Sequence, residues 1–115
     1  MLLVATLSTV VVVSAAASAT PTLRELATKV GVYVGSALNQ GCIQNASDPD
    51  YASVSLSQYD LATAENECKF GPIEPSMGNF DFSGCDFVSS FMLKNGSGVF
   101  RGHNMIWGQV NHVYF

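Results

Sequence analysis

Apolar residues along this chain fall into short blocks separated by polar punctuation, and the spacing inside each block predicts its secondary structure. Thr22-Leu23-Arg24-Glu25 has the form of a capping box, in which a threonine closes a helix start and a glutamate three residues on reaches back. It predicts a short helix to about Lys29. The run Val30 to Leu38, VGVYVGSAL, is β-branched, aromatic and continuously apolar, the signature of a buried strand rather than one with a wet face. Gln40 to Asp50, rich in Gly, Asn, Ser and Asp, predicts a loop. Asp48 and Pro49 then suit the N-cap and first position of a helix reaching about Tyr59. Leu61 to Glu65 predicts a second strand that ends abruptly in Glu65-Asn66-Glu67, before a loop punctuated by Gly71, Pro72, Pro75 and Gly78. A third helix is expected from Ser83, with Asp86 completing a weaker capping box. Phe87, Val88, Phe91 and Met92 repeat on it at helical spacing, and Asn95-Gly96 stops it. The last strand is expected from Val99 to His103 or Ile106, followed by Trp107.

Strands alternating with helices build a parallel α/β sheet through crossover connections. In such folds ligands bind where the strands end, at the carboxyl edge of the sheet. The polar groups that follow the strands here are Glu65, Asn66, Lys69, His103 and Trp107, which form the candidate binding face.

Composition narrows the function classes. Charged residues make up 12% of the 115, about half the usual share of roughly 25%, and the net charge is −4. Acidic disordered tails, basic nucleic-acid arms and polybasic membrane patches are excluded on that ground. Residues 1–19, MLLVATLSTVVVVSAAASA, carry no charged side chain and end in Ala17-Ser18-Ala19, an A-x-A cleavage site. They are expected to be a secretory signal peptide, leaving residues 20–115 as one small extracellular domain with no membrane attachment. Two sequons, Asn45-Ala46-Ser47 and Asn95-Gly96-Ser97, are acceptors for glycosylation in a eukaryotic secretory pathway. The 3 cysteines, Cys42, Cys68 and Cys85, show no C-x-x-C spacing, so neither a zinc site nor a full disulfide framework is indicated.

Glu65 and Glu67 stand two apart and on a strand would face one side, but neighbours on one strand do not flank a substrate as a glycosidase pair must. They read as solvated surface groups. His103 and His112 have no carboxylate or cysteine at ligand spacing, and no metal is expected. Nucleophile-elbow, phosphate-loop and dinucleotide patterns are absent, which removes phosphoryl and hydride transfer and leaves no cofactor to expect.

Three ordered segments carry a resemblance: TAENECKF from Thr63, IEPSMGNFDF from Ile73 and FRGHNMIW from Phe100. Together they resemble the early part of glycoside hydrolase family 10, the endo-1,4-β-xylanases, from about Leu23 through Gln109. The resemblance implies a partial (β/α)8 barrel of α/β class, about its first three strands with their intervening helices, whereas a closed barrel typically takes ~250 residues. It also implies that Glu65, Asn66 and Lys69 bind sugar hydroxyls on the glycone side of a xylan cleft, and that His103 and Trp107 line the subsite of the sugar being cleaved. The family's two catalytic glutamates lie on the fourth and seventh strands, neither of which is expected in this sequence, so no residue here is assigned a catalytic role.

Departures from the family pattern carry their own expectations. Cys68 and Phe70 stand where Met and Trp are common, and both read as tolerable apolar replacements. Gly108 replaces a frequent histidine, and Val110 to Phe115 diverges where a proline and a tryptophan usually follow. Because every valine codon begins with GT, the ending is expected to be read from retained intron. A chain of this extent is expected to lack xylanase activity and, with sheet edges bare, to be prone to aggregation. The alternative is a secreted, noncatalytic xylan-binding or decoy protein using the same five residues.

Overall fold

The computed structural model describes residues 20–95, 98–104 and 106. The chain enters through helix α1 (Leu23–Lys29), closed as the capping box requires. The Thr22 hydroxyl accepts from the Glu25 amide at 3.2 Å, and the Glu25 carboxylate accepts from the Thr22 amide at 2.8 Å. The helix ends at Lys29, where the sequence places its end. Gly31 adopts φ +72°, a left-handed conformation that costs glycine nothing, and this lets Gly31 and Val32 donate back to the Thr28 and Ala27 carbonyls. Residues 30–34 are therefore spent on a helix ending, with Val30 72% and Tyr33 68% exposed. The expected strand from Val30 shortens to β1 (Gly35–Leu38).

The segment expected as loop after β1 opens with a helical turn, α2 (Gln40–Ile43), capped by the Asn39 side chain accepting from the Cys42 amide at 3.2 Å. Asparagine is a favoured N-cap residue, and the turn-rich composition around it concealed the helix start. α3 (Pro49–Gln58) begins at Pro49 as expected, though the Asp48 side chain makes no capping hydrogen bond. Its serines bond to their own helix: Ser55 Oγ donates to the Tyr51 carbonyl at 2.6 Å, and Ser53 and Ser57 do the same at their i−3 carbonyls. β2 (Leu61–Ala64) is followed by a second unforeseen turn of helix, α4 (Phe70–Ile73).

α5 (Ser83–Asn95) and β3 (Val99–Arg101) complete the described elements, β3 ending short of the expected His103 or Ile106. The start of α5 is held by Asp81, whose carboxylate accepts from the Ser83 amide at 2.9 Å. The strands pair in the order β1-β2-β3, all parallel. Register aligns Gly35, Leu61 and Val99 across the sheet, then Ala37, Thr63 and Arg101 two residues on.

One face of this sheet is covered. Leu38, Ala62, Ala64, Val88 and Met92 form the buried core, with Phe87, Phe91 and Phe100 packed against it. All four apolar positions expected on α5 are thus turned to the sheet. Successive strand residues point to opposite faces, so the aligned rows of Gly35 and Ala37 lie on the side away from α5. Both of those residues are exposed, as are Val99 and Arg101. Asp60, only 8% exposed, ties the amino ends of the strands: its carboxylate accepts from the Val34 amide at 2.8 Å and its carbonyl from the Val99 amide at 2.7 Å.

Candidate functional site

A depression of about 410 Å³ lies on the open face of the sheet, with Thr63, Glu65, Arg101 and His103 in its wall. Parity explains part of the set. Thr63 and Arg101 are register partners, and alternation turns both to the side that α5 leaves open, while Glu65 and His103, just past the ends of β2 and β3, line the same depression. Glu65 is exposed, and its amide donates to the Leu38 carbonyl at 2.8 Å, which fixes the backbone where β2 ends. His103 is likewise exposed. Arg101 was not among the expected residues, although its position two before His103 in the strand was a sufficient signal.

Beside the depression, the turn after β2 gathers a second polar set. Lys69 is only 7% exposed, and its ammonium donates to Asn66 Oδ1 at 2.8 Å. A nearly buried cation held by hydrogen bonds presents its charge at a fixed point, in contrast to a mobile surface lysine. The Lys69 amide also bonds the Asn66 carbonyl at 2.9 Å, so these two residues move as a unit.

Glu67 departs from expectation. The strand ends at Ala64, so Glu65 and Glu67 are not neighbours on one strand face. Glu65 is exposed, whereas Glu67 is half-buried and both its oxygens are engaged. One accepts from the Gln40 amide and the other from the Asn66 amide, which bolts the turn after β1 to the turn after β2. The Tyr51 hydroxyl accepts from the neighbouring Asn39 amide at 3.2 Å. Burial pushes the Tyr51 phenol above its ordinary range, partly opposed by that backbone bond.

The cysteines resolve unequally. Cys68 and Cys85 form a disulfide with Cα atoms 4.7 Å apart, and Cys42 is free and exposed. Cys68 is therefore no mere apolar replacement: it fastens the turn bearing Asn66 and Lys69 to the first turn of α5. Among the described residues, no three His, Cys, Asp or Glu side chains gather to hold a metal ion. Of the expected site residues, Glu65, Asn66, Lys69 and His103 all lie at the carboxyl edge of the sheet. Trp107 lies outside the described residues, as does the diverging segment Val110 to Phe115.

Parallel strands alternating with helices, covered on one face and carrying polar residues at their carboxyl ends, define part of an α/β barrel of the (β/α)8 type. The solved structures agree. A glycosylated endo-β-1,4-xylanase of glycoside hydrolase family 10 from Gloeophyllum trabeum superposes with TM-score 0.75 at 37% identity, over 81% of this chain and 29% of that one. Xylanase 10B from Thermotoga petrophila, solved with xylobiose, shares the fold at TM-score 0.75 and 24% identity, over 84% of this chain and 29% of that one. The chain belongs to glycosyl hydrolase family 10, whose family model matches residues 22–115. It is similar to an endo-1,4-β-xylanase of Naganishia albida, 40% identical over 96 residues that make up 83% of this chain and 28% of that protein. An endo-1,4-β-xylanase of Humicola insolens is 36% identical over 81% of this chain and 22% of its own length. The chain thus spans less than a third of these relatives.

Proposed function

We propose that this chain supplies the glycone-side substrate-binding edge of a secreted endo-1,4-β-xylanase, and that residues 1–19 are the signal peptide directing it outside the cell. The observation that carries this reading is the Lys69–Asn66 pair, a 7% exposed ammonium bonded at 2.8 Å to a carboxamide, standing next to the exposed Glu65 at the end of β2. Vicinal hydroxyls of a xylose unit both donate and accept. Glu65 accepts from them, Lys69 donates, and Asn66, its oxygen committed to Lys69, donates through its carboxamide nitrogen. His103 reaches the same sugar row from β3, and Trp107 offers an apolar ring for it to pack on.

Hydrolysis in this reading follows the retaining course, with one glutamate as acid/base and a second as nucleophile on opposite sides of the bond, about 5–5.5 Å apart. Neither role falls to Glu65 or Glu67: the first sits at the binding edge and the second has both oxygens tied to backbone amides. Residues 20–115 alone therefore bind xylo-oligosaccharide weakly and turn none over.

The test is titration of the purified 115-residue chain with xylotriose, followed by amide chemical shifts and by product analysis. Shifts clustered at residues 65–69 and 103, with no released xylose or xylobiose, are expected. Lys69→Met should weaken binding by at least about tenfold, since hydrogen bonds to charged groups are worth ~1.5–3 kcal/mol. Absence of any binding would overturn the site assignment, and turnover by protein of confirmed mass would overturn the catalytic one. Binding without turnover that Lys69→Met leaves untouched would favour a noncatalytic xylan-binding role elsewhere on the chain.

A further inference from the structure

The sequon Asn45-Ala46-Ser47 lies wholly within the described residues. Asn45 lies between α2 and α3 in a segment, Gln44 to Asp50, in which every residue is exposed. Its carboxamide oxygen accepts from the Ser47 amide at 3.0 Å, and the Asp48 amide closes back onto the Asn45 carbonyl at 3.0 Å. The carboxamide is thereby folded over its own sequon serine, with the oxygen bonded to backbone and the nitrogen as the atom left to carry a substituent. No core side chain comes from this loop.

We propose that Asn45 is N-glycosylated and that its glycan stands beside the candidate binding face. The inference rests on the secretory reading of residues 1–19 for its occurrence in the native host. In the reaction, the Asn45 amide nitrogen displaces the diphosphate of a lipid-linked oligosaccharide at the sugar's anomeric carbon. A C–N bond forms, the C–O bond to the diphosphate breaks, and the amide gives up one proton to a base of the transferase. Topology also places the product. α3 runs from this loop back to the amino end of β2, so the loop lies at the carboxyl end of the strands, the end that bears Glu65, Asn66 and Lys69. The glycan stands at the rim of the candidate binding face.

The experiment is secretion of the full chain from yeast behind that host's own leader, so that the outcome does not depend on residues 1–19. Glycans are released with peptide N-glycosidase, which converts each occupied asparagine to aspartate, and the protein is mapped as denatured peptides. Conversion at residue 45 is expected, and Ser47→Ala should abolish it there without altering Asn45 itself. No conversion at residue 45 overturns the proposal whether or not any variant folds. Secretion directed by residues 1–19 is measured separately with the native leader, so failure of that reading is distinguishable.

Discussion

Breaking the Cys68–Cys85 bond tests how the candidate binding turn is held. The bond closes a segment with a sequence separation of 17, containing α4 and the turns on either side of it. For a loop of that size the chain-entropy contribution is about 3 kcal/mol. A domain's whole stability is commonly ~5–15 kcal/mol, so this one link is a large share. With roughly 1.4 kcal/mol per factor of ten, its loss should raise the open population of the turn and of the adjoining first turns of α5 by about 100-fold. Cys85→Ala is the appropriate change, because it leaves Cys68 beside Lys69 in place. Amide hydrogen exchange at Asn66 to Lys69 and at Phe87 and Val88 reads the effect locally, without requiring a single global transition. The reasoning fails if exchange at these amides changes by less than about threefold, or if peptide mapping finds Cys42 in the cross-link, because then the turn is held by something other than this loop closure.

Thr22→Ala removes the side-chain half of the capping box and should loosen α1 by about 1 kcal/mol, seen as faster exchange at Glu25 and Leu26 with β2 unaffected. Leu38→Ala, at a side chain 1% exposed in the middle of the core, should cost ~2–5 kcal/mol and lower the denaturant midpoint of the whole sheet; an unchanged midpoint would mean the core is not packed as described. Hydrogen bonds from Ser83, side chain first and then backbone, hold the exposed Asp81 carboxyl below the usual aspartate range. A depressed carboxylate contributes above its unfolded value, and that contribution disappears as pH falls through the folded value. Protection of the first turn of α5 should therefore fall on the acid side in the native chain and be pH-independent there in Asp81→Asn, and identical profiles would refute the link.

Much of the framework was already readable in local pattern. The capping box at Thr22, proline at the start of α3, apolar spacing on α5 and the stop at Asn95 are all set by neighbours within a few residues, and each stands where the pattern puts it. The order of parallel strands and helices followed from the alternation, and the three motifs placed the chain in its family. Two short helices escaped because four-residue turns such as α2 and α4 have too few positions to show a period. The run from Val30 misled for a related reason: hydrophobicity reports burial in a finished assembly, while the left-handed conformation at Gly31 decided where the helix ended.

Tertiary structure alone decided three matters. Which cysteines pair depends on the distance between a turn after β2 and the start of α5, and no spacing rule carries that distance. That Glu67 is a backbone clamp while Glu65 stays open depends on the strand ending at Ala64, which reverses the relation two alternating strand residues would have. Finally, the grouping of Glu65, Arg101 and His103 around one depression depends on the register between β2 and β3, an inter-strand hydrogen-bond alignment invisible to either strand by itself. Local interactions fix dihedral angles residue by residue and so can be read along the chain. Contacts between segments far apart in sequence exist only once the chain has closed on itself.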